Sequence, residues 1–124
     1  MKHALRNSLI VSLAFIMMAV SILPAYTYAS AAPARVVICT GALPTRLTTG
    51  LTIKVSTRVS YLGIRRMPSL DYRRLFDLKP SNTMTVLYGP YCAYNSYFWY
   101  ITTKKGSGWV REANNSYYFV DPVP

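Results

Sequence analysis

From Leu51 onward the chain alternates apolar and polar positions with a period of two. Thr52-Ile53-Lys54-Val55-Ser56 does so cleanly, as a strand with one face in a core and one in water. Tyr61-Leu62-Gly63-Ile64-Arg65-Arg66 repeats the pattern, with Leu62 and Ile64 on one face and Arg65 on the other, until Met67-Pro68-Ser69 stops it. Tyr72 to Leu78 alternates less cleanly: Leu75 faces one way, Phe76 and Leu78 the other. Lys79-Pro80-Ser81-Asn82 has the composition of a turn. Met84-Thr85-Val86-Leu87-Tyr88 is the next predicted strand, closed by Gly89-Pro90. Tyr97-Phe98-Trp99-Tyr100-Ile101-Thr102 is the strongest strand signal, aromatic and β-branched throughout. Lys104-Lys105-Gly106-Ser107-Gly108 predicts a hairpin loop with two glycines available for positive φ, and Trp109-Val110 returns from it. Ser116-Tyr117-Tyr118-Phe119-Val120 ends the pattern before Asp121-Pro122. No window of ten or more residues after residue 31 has the 3.6-residue apolar period of a helix. The expectation is all-β: five or six short strands at close spacing, in a small barrel or sandwich.

The first thirty residues read differently. Lys2, His3 and Arg6 form a short positive region, Leu9 to Val20 runs almost wholly apolar, Pro24 breaks it, and Ala29-Ser30-Ala31 supplies small residues. Those are the three parts of a secretory signal peptide, expected to be helical and cleaved after Ala31. The alternative is an uncleaved N-terminal anchor, although the run from Leu9 to Leu23 is 15 residues, short of the roughly 20 that span a bilayer. A lipid-attachment site at Cys39 is excluded by Val37 and Ile38 before it, where a small residue is needed. The expected organisation is a signal peptide over 1–31, an extended, proline-punctuated lead-in over 32–46 and a barrel domain over 47–124. The protein is expected outside the cytoplasm, secreted or in the cell envelope, meeting a membrane only transiently through its signal.

Composition narrows the chemistry. The 124-residue chain has 14 Lys plus Arg against 4 Asp plus Glu, a formal charge of +10. Removing residues 1–31 takes away Lys2 and Arg6 and leaves 12 basic residues against the same 4 acids, or +8. The hydrophobic fraction of 52% excludes a disordered basic tail. His3 is the one histidine and would leave with the signal. A cysteine nucleophile needs a base to form thiolate, so Cys39 and Cys92 are read as a structural disulfide, the one pairing two cysteines allow in an exported chain. Closing a loop of 52 residues between them is worth up to about 4 kcal/mol in the chain-entropy model. Glu112 and Asp121 are the acids after Asp77. Paired carboxylates can hydrolyse glycosides, but both are read here as structural. No catalytic residues, metal ligands or cofactor are expected, and the chain is read as a non-enzyme.

Five short segments, in order, resemble bacterial SH3 (SH3b) domains. Ile64-Arg65-Arg66-Met67-Pro68-Ser69 resembles that family's "LNVRSxPS" strand and turn. Met84 to Pro90 resembles "xVLxGP", and Phe98-Trp99-Tyr100-Ile101 stands where the family has "WWxV". Gly106-Ser107-Gly108-Trp109-Val110-Arg111-Glu112 resembles "GxxGWVxE", and Tyr117 to Pro122 resembles the closing "YxLxP". Cys39 and Cys92 fall where a secreted, single-domain branch keeps two cysteines. The likeness spans about Cys39 to Pro122. Gly63 stands in place of the family's asparagine, Arg66 in place of its serine and Phe98 in place of the first tryptophan. The resemblance implies an SH3-like barrel of five to six strands and a non-catalytic extracytoplasmic binding module.

Two groups of residues are candidates for binding. If Trp99 and Ile101 face the core, Phe98 and Tyr100 face out, and the resemblance puts the first of these aromatics on the ligand-binding face. The alternative packs both under the loop formed roughly by Arg65 to Leu75. Tyr61, Tyr91 and Tyr94 extend the candidate shelf, whose aromatic faces suit sugars, peptide backbones and prolines. Arg65, Arg66, Arg73 and Arg74 bracket that loop, and Lys104 and Lys105 sit at a hairpin tip. Together they form a positive face for phosphates or carboxylates, against the alternative of scattered solvated charge. The expected partner is a cell-wall polymer such as peptidoglycan or an anionic glycan, or a peptide. The alternatives are an envelope protein, making this a structural or interaction module, and an anionic polymer bound by charge, nucleic acid included.

Overall fold

A computed structural model describes residues 35–124, and the expected signal peptide lies outside the described residues. Seven antiparallel strands form one sheet: β1 (Thr52–Val55), β2 (Leu62–Arg65), β3 (Arg74–Leu78), β4 (Thr83–Ala93), β5 (Ser96–Thr103), β6 (Gly106–Arg111) and β7 (Val120–Pro122). Their order across the sheet is β3-β2-β6-β5-β4-β1-β7. The sheet curls into a half-barrel, and no helix occurs among the described residues. The all-β expectation holds, with seven strands where five or six were expected.

The alternation read from the sequence decides what lines the curl. Ile53 and Val55 of β1, Leu62 and Ile64 of β2, Leu78, Met84, Val86, Trp99, Ile101, Val110 and Val120 are buried and form one core cluster. Each of these side chains contributes about 1.5–3 kcal/mol by leaving water. Gly108 lets β6 press against β2: a Cβ there would stand 2.6 Å from Ile64 Cγ2 and 2.8 Å from the Arg65 carbonyl oxygen. The lead-in joins the same core through Cys39, and the first barrel residue, Leu47, is buried in that cluster too.

The strand limits differ from expectation in three places. β4 does not stop at Gly89-Pro90 but continues to Ala93, with register shifts between Val86 and Tyr88 and between Tyr88 and Tyr91. Pro90, which has no N–H to give a ladder, falls inside the second irregularity, where none is required. Gly89 sits at φ +138°, and a Cβ on it would lie 2.9 Å from Trp99 Cε3, so the position needs glycine twice over. β6 begins at Gly106, leaving a two-residue turn at Lys104–Lys105. There the Thr103 hydroxyl accepts from Lys105 N at 3.0 Å and donates to the Gly106 carbonyl at 3.0 Å. The last strand starts at Val120, because Asn114 Oδ1 accepts from Ser116 N and Tyr117 N at 2.8 and 2.7 Å and holds residues 114–117 in a turn.

The β4–β5 hairpin carries a turn that the sequence reading did not find. Ala93 pairs with Ser96, and Tyr94 and Asn95 between them have φ of 51° and 53°. Two consecutive left-handed residues are the type I′ geometry that matches strand twist. Asn95 adopts it readily, whereas for Tyr94 it costs about 1 kcal/mol.

Candidate functional site

A row of side chains crosses the outer face of four strands. Register pairs run Tyr88 to Tyr100, Tyr100 to Trp109 and Trp109 to Arg65, taking β4, β5, β6 and β2 in turn. Because paired residues share a face, these four side chains lie together opposite the core. The Tyr88 and Tyr100 rings stack at 4.6 Å with 10° between their planes. Trp109 meets them edge-on, 5.6 Å from Tyr88 and 5.5 Å from Tyr100. Tyr91 adds a fourth ring 6.3 Å from Trp109. Tyr88 and Tyr91 keep 50% and 54% of their surface exposed. The result is an open aromatic shelf whose rings are held by one another and by a paired sheet, so little ordering entropy remains to be lost on binding.

Tyr100 stands on this shelf as the alternation implies. Phe98 does not: it is on the face opposite Trp99 but is 0% exposed, which corrects its assignment as an outward ligand contact. Its register partners Tyr91 and Arg111 flank it, and the loop 66–73 is tied over this side of the sheet from both ends. Arg65 Nη1 donates to the carbonyls of Leu70 and Tyr72 at 3.3 and 2.7 Å. The Tyr94 hydroxyl bonds Ser69 Oγ at 3.1 Å and donates to Asp71 Oδ2. Phe98 is therefore buried rather than offered to a ligand.

The other expected aromatics divide. Tyr91 joins the shelf, Tyr94 serves as the tether of the loop, and Tyr61 lies apart with the Arg74 guanidinium 4.9 Å above its ring. Tyr88 and Trp109 were not singled out from the sequence. The signal for Trp109 was present, since burial of Val110 turns Trp109 and Arg111 outward. Tyr88 was hidden by the register shift that begins at Val86.

The basic residues also separate by environment. Arg66, Arg73, Lys104 and Lys105 are exposed, and Arg65 is half-buried. Arg74 pairs with Asp77 at 3.4 Å. Its guanidinium is held above its ordinary pKa first by Tyr61 and then by Asp77. Lys105 Nζ donates to the Asp77 carbonyl at 3.2 Å, so the hairpin tip meets β3 at Asp77.

Glu112 is 1% exposed and works inside the fold. Its Oε2 accepts from Thr45 Oγ1 at 2.7 Å and Trp99 Nε1 at 2.9 Å, and its Oε1 accepts from Arg46 N at 2.7 Å. Arg46 in turn pairs with Asp121 at 3.0 Å and lies 3.5 Å over the Tyr118 ring. Both carboxylates thus pin the lead-in to the sheet. A Cys39–Cys92 disulfide with Cα atoms 5.5 Å apart fastens the same segment to β4, and a disulfide-bonded pair is compatible with an extracytoplasmic location. Among the described residues no three His, Cys, Asp or Glu side chains are grouped to hold a metal ion.

Comparison with protein-family models, with curated proteins and with solved structures finds no match to this chain.

Proposed function

We propose that the chain is a secreted, non-catalytic binding module of the bacterial SH3 type, with an SH3-like barrel topology, that recognises cell-envelope material such as peptidoglycan, an anionic glycan or a peptide. The observation that carries this reading is the shelf of Tyr88, Tyr91, Tyr100 and Trp109. Three rings meet Trp109 edge-on, Tyr88 and Tyr91 stay about half exposed, and exposed aromatic rings of this kind take sugar rings and peptide backbones. Arg65 closes one end of the row and supplies a cation for a polar group of the same ligand.

A second reading is charge-driven binding of a polyanion, nucleic acid included. It is favoured by Arg66, Arg73 and Lys104, which are exposed and for which no ion pair is formed among the described residues. The two readings separate by salt. In the experiment, the oxidised protein is pulled down on purified cell-wall sacculi and on heparin beads at about 50 and about 300 mM salt, where screening removes most long-range attraction. Shelf recognition predicts binding to sacculi that persists at the higher salt and falls with Tyr100→Ala. Binding to both matrices that vanishes with salt and is unchanged by Tyr100→Ala would replace the first reading with the second.

A further inference from the structure

The β2–β6 ladder contains one register pair, Arg65 with Trp109. Continued two residues along, antiparallel geometry would set Gly63 against Arg111, and no pair forms there. A cavity of about 210 Å³ lies at this gap, lined by Gly63, Arg65 and Arg111 and walled by Val59, Leu70 and Phe119.

Among the described residues neither cation of this cavity is ion-paired with a carboxylate. The ion pairs among the described residues are Arg46 with Asp121 and Arg74 with Asp77. The other two described acids are engaged elsewhere, Glu112 by Thr45, Arg46 N and Trp99, and Asp71 by the Tyr94 hydroxyl. Neutral groups hold both guanidinium planes instead. Arg65 Nη1 is bound by the Leu70 and Tyr72 carbonyls. Arg111 Nε donates to Ser96 Oγ at 2.8 Å and its Nη2 to the Tyr94 carbonyl at 3.2 Å. These contacts orient the two forks and leave Nε and Nη2 of Arg65 and Nη1 of Arg111 without a hydrogen-bond acceptor among the described residues. Burial, and after it the charge of Arg65, pushes the Arg111 pKa down from its ordinary value, the direction for a cation facing another cation.

We propose that this cavity is an oxyanion site, in which Arg65 and Arg111 together bind a carboxylate or phosphate group whose attached carbon lies against Val59, Leu70 and Phe119. Two guanidinium-bearing residues lining one cavity repel each other, and an anion bound by both converts that repulsion into two attractions. The planar forks match the paired oxygens of a carboxylate or phosphate, and because backbone carbonyls and the Ser96 hydroxyl already hold both, little side-chain entropy is lost on binding. The apolar walls suit an organic acid with a short carbon substituent. The site shares Arg65 with the end of the aromatic row but uses none of its rings, and it stands whether or not those rings bind envelope material.

The test is an NMR titration of the purified, oxidised protein that follows the Nε–Hε resonances of its arginines. N-acetylalanine, inorganic phosphate and sodium chloride are each added at constant ionic strength. The expected result is a saturable shift of Arg65 and Arg111 with one or both oxyanions and none with chloride. Saturation with N-acetylalanine alone assigns an organic carboxylate, with phosphate alone a phosphoryl group, and with both the shared oxyanion chemistry. Arg111→Gln is expected to weaken binding about tenfold, the worth of one hydrogen bond to a charged partner. Arg65→Lys, which keeps the charge and loses the fork, provides a second variant. Non-saturating shifts like those with chloride, or equal shifts at Arg66 and Arg73, overturn the proposal on the wild-type protein alone. Saturable binding that neither variant weakens overturns it as well.

Discussion

Replacing Glu112 with alanine tests whether a buried carboxylate holds the lead-in to the sheet. Three donors converge on it: Thr45 Oγ1 and Arg46 N at 2.7 Å, and Trp99 Nε1 at 2.9 Å. The Trp99 indole belongs to the core, so its N–H cannot turn to water, and an orphaned buried donor costs about 1–3 kcal/mol. Thr45 and Arg46 are exposed residues and find water more easily, losing about 0.5–1.5 kcal/mol each. Glu112→Ala is therefore expected to cost about 2–6 kcal/mol in all, a span that brackets the loss seen when a buried charged group is removed from its partners. A domain of this size has roughly 5–13 kcal/mol to lose. Glu112→Gln keeps one oxygen for Thr45 and Trp99 but turns an NH2 group toward Arg46 N–H, for an expected cost of about 1–3 kcal/mol. Thr45→Val removes a single half-buried bond and should cost about 1 kcal/mol. Urea unfolding followed by far-ultraviolet circular dichroism and by tryptophan fluorescence gives each value from midpoint and slope. A cost below about 1 kcal/mol for Glu112→Ala, or equal costs for the alanine and glutamine variants, would refute the reasoning, because the three bonds would then carry no net stability.

Other consequences are measurable in the same way. Opening the Cys39–Cys92 bridge, by reductant or by Cys92→Ser, should cost about 2–4 kcal/mol for a loop of this length, read as a fall in the thermal midpoint; an unchanged midpoint would contradict it. Gly108→Ala places a Cβ 2.6 Å from Ile64 Cγ2 and 2.8 Å from a backbone oxygen, so about 2–3 kcal/mol of overpacking is expected in denaturant unfolding. Tyr94→Phe removes the hydroxyl that bonds Ser69 and Asp71. Amides of loop 66–73 should then exchange faster with solvent while those of β5 keep their protection, and unchanged loop exchange would show that the tether does not matter. Tyr100→Ala leaves the core untouched and should lower sacculus binding at high salt without shifting the unfolding midpoint by more than about 1 kcal/mol.

Much of the fold is written locally. Period-two alternation identified β1 and β2 to within a residue, because Ile53, Val55, Leu62 and Ile64 have one side to hide and their neighbours do not. The aromatic and β-branched run at 97–102 became the central strand β5, legible from strand propensity rather than alternation, since both of its faces are covered over Ser96 to Trp99. Errors fell where a local signal was overruled by something distant. Gly89-Pro90 reads as a stop, yet the strand runs on because a bulge absorbs the missing N–H and Trp99 fills the space a side chain would need. The Tyr94–Asn95 turn was missed because tyrosine is a poor left-handed residue, kept there by a loop about 25 positions earlier in the chain.

The candidate site divides along the same line. Alternation alone put Tyr100 opposite the core, since that depends only on the pleat. Whether an outward side chain meets water depends on what else folds over it. Phe98 and Tyr100 have the same local pattern, but the loop 66–73 is drawn over one side of the sheet while the shelf stays open at Tyr88 and Tyr91. The meeting of Arg65 with Arg111, 46 residues apart, follows from β2 pairing with β6 at a single register position. The residues themselves determined the strands, the charge and the one available disulfide, because those follow from side-chain chemistry and spacing along the chain. Only the tertiary structure decided which aromatics are exposed and which cations go unpaired, because exposure and pairing are set by contacts between segments far apart in sequence.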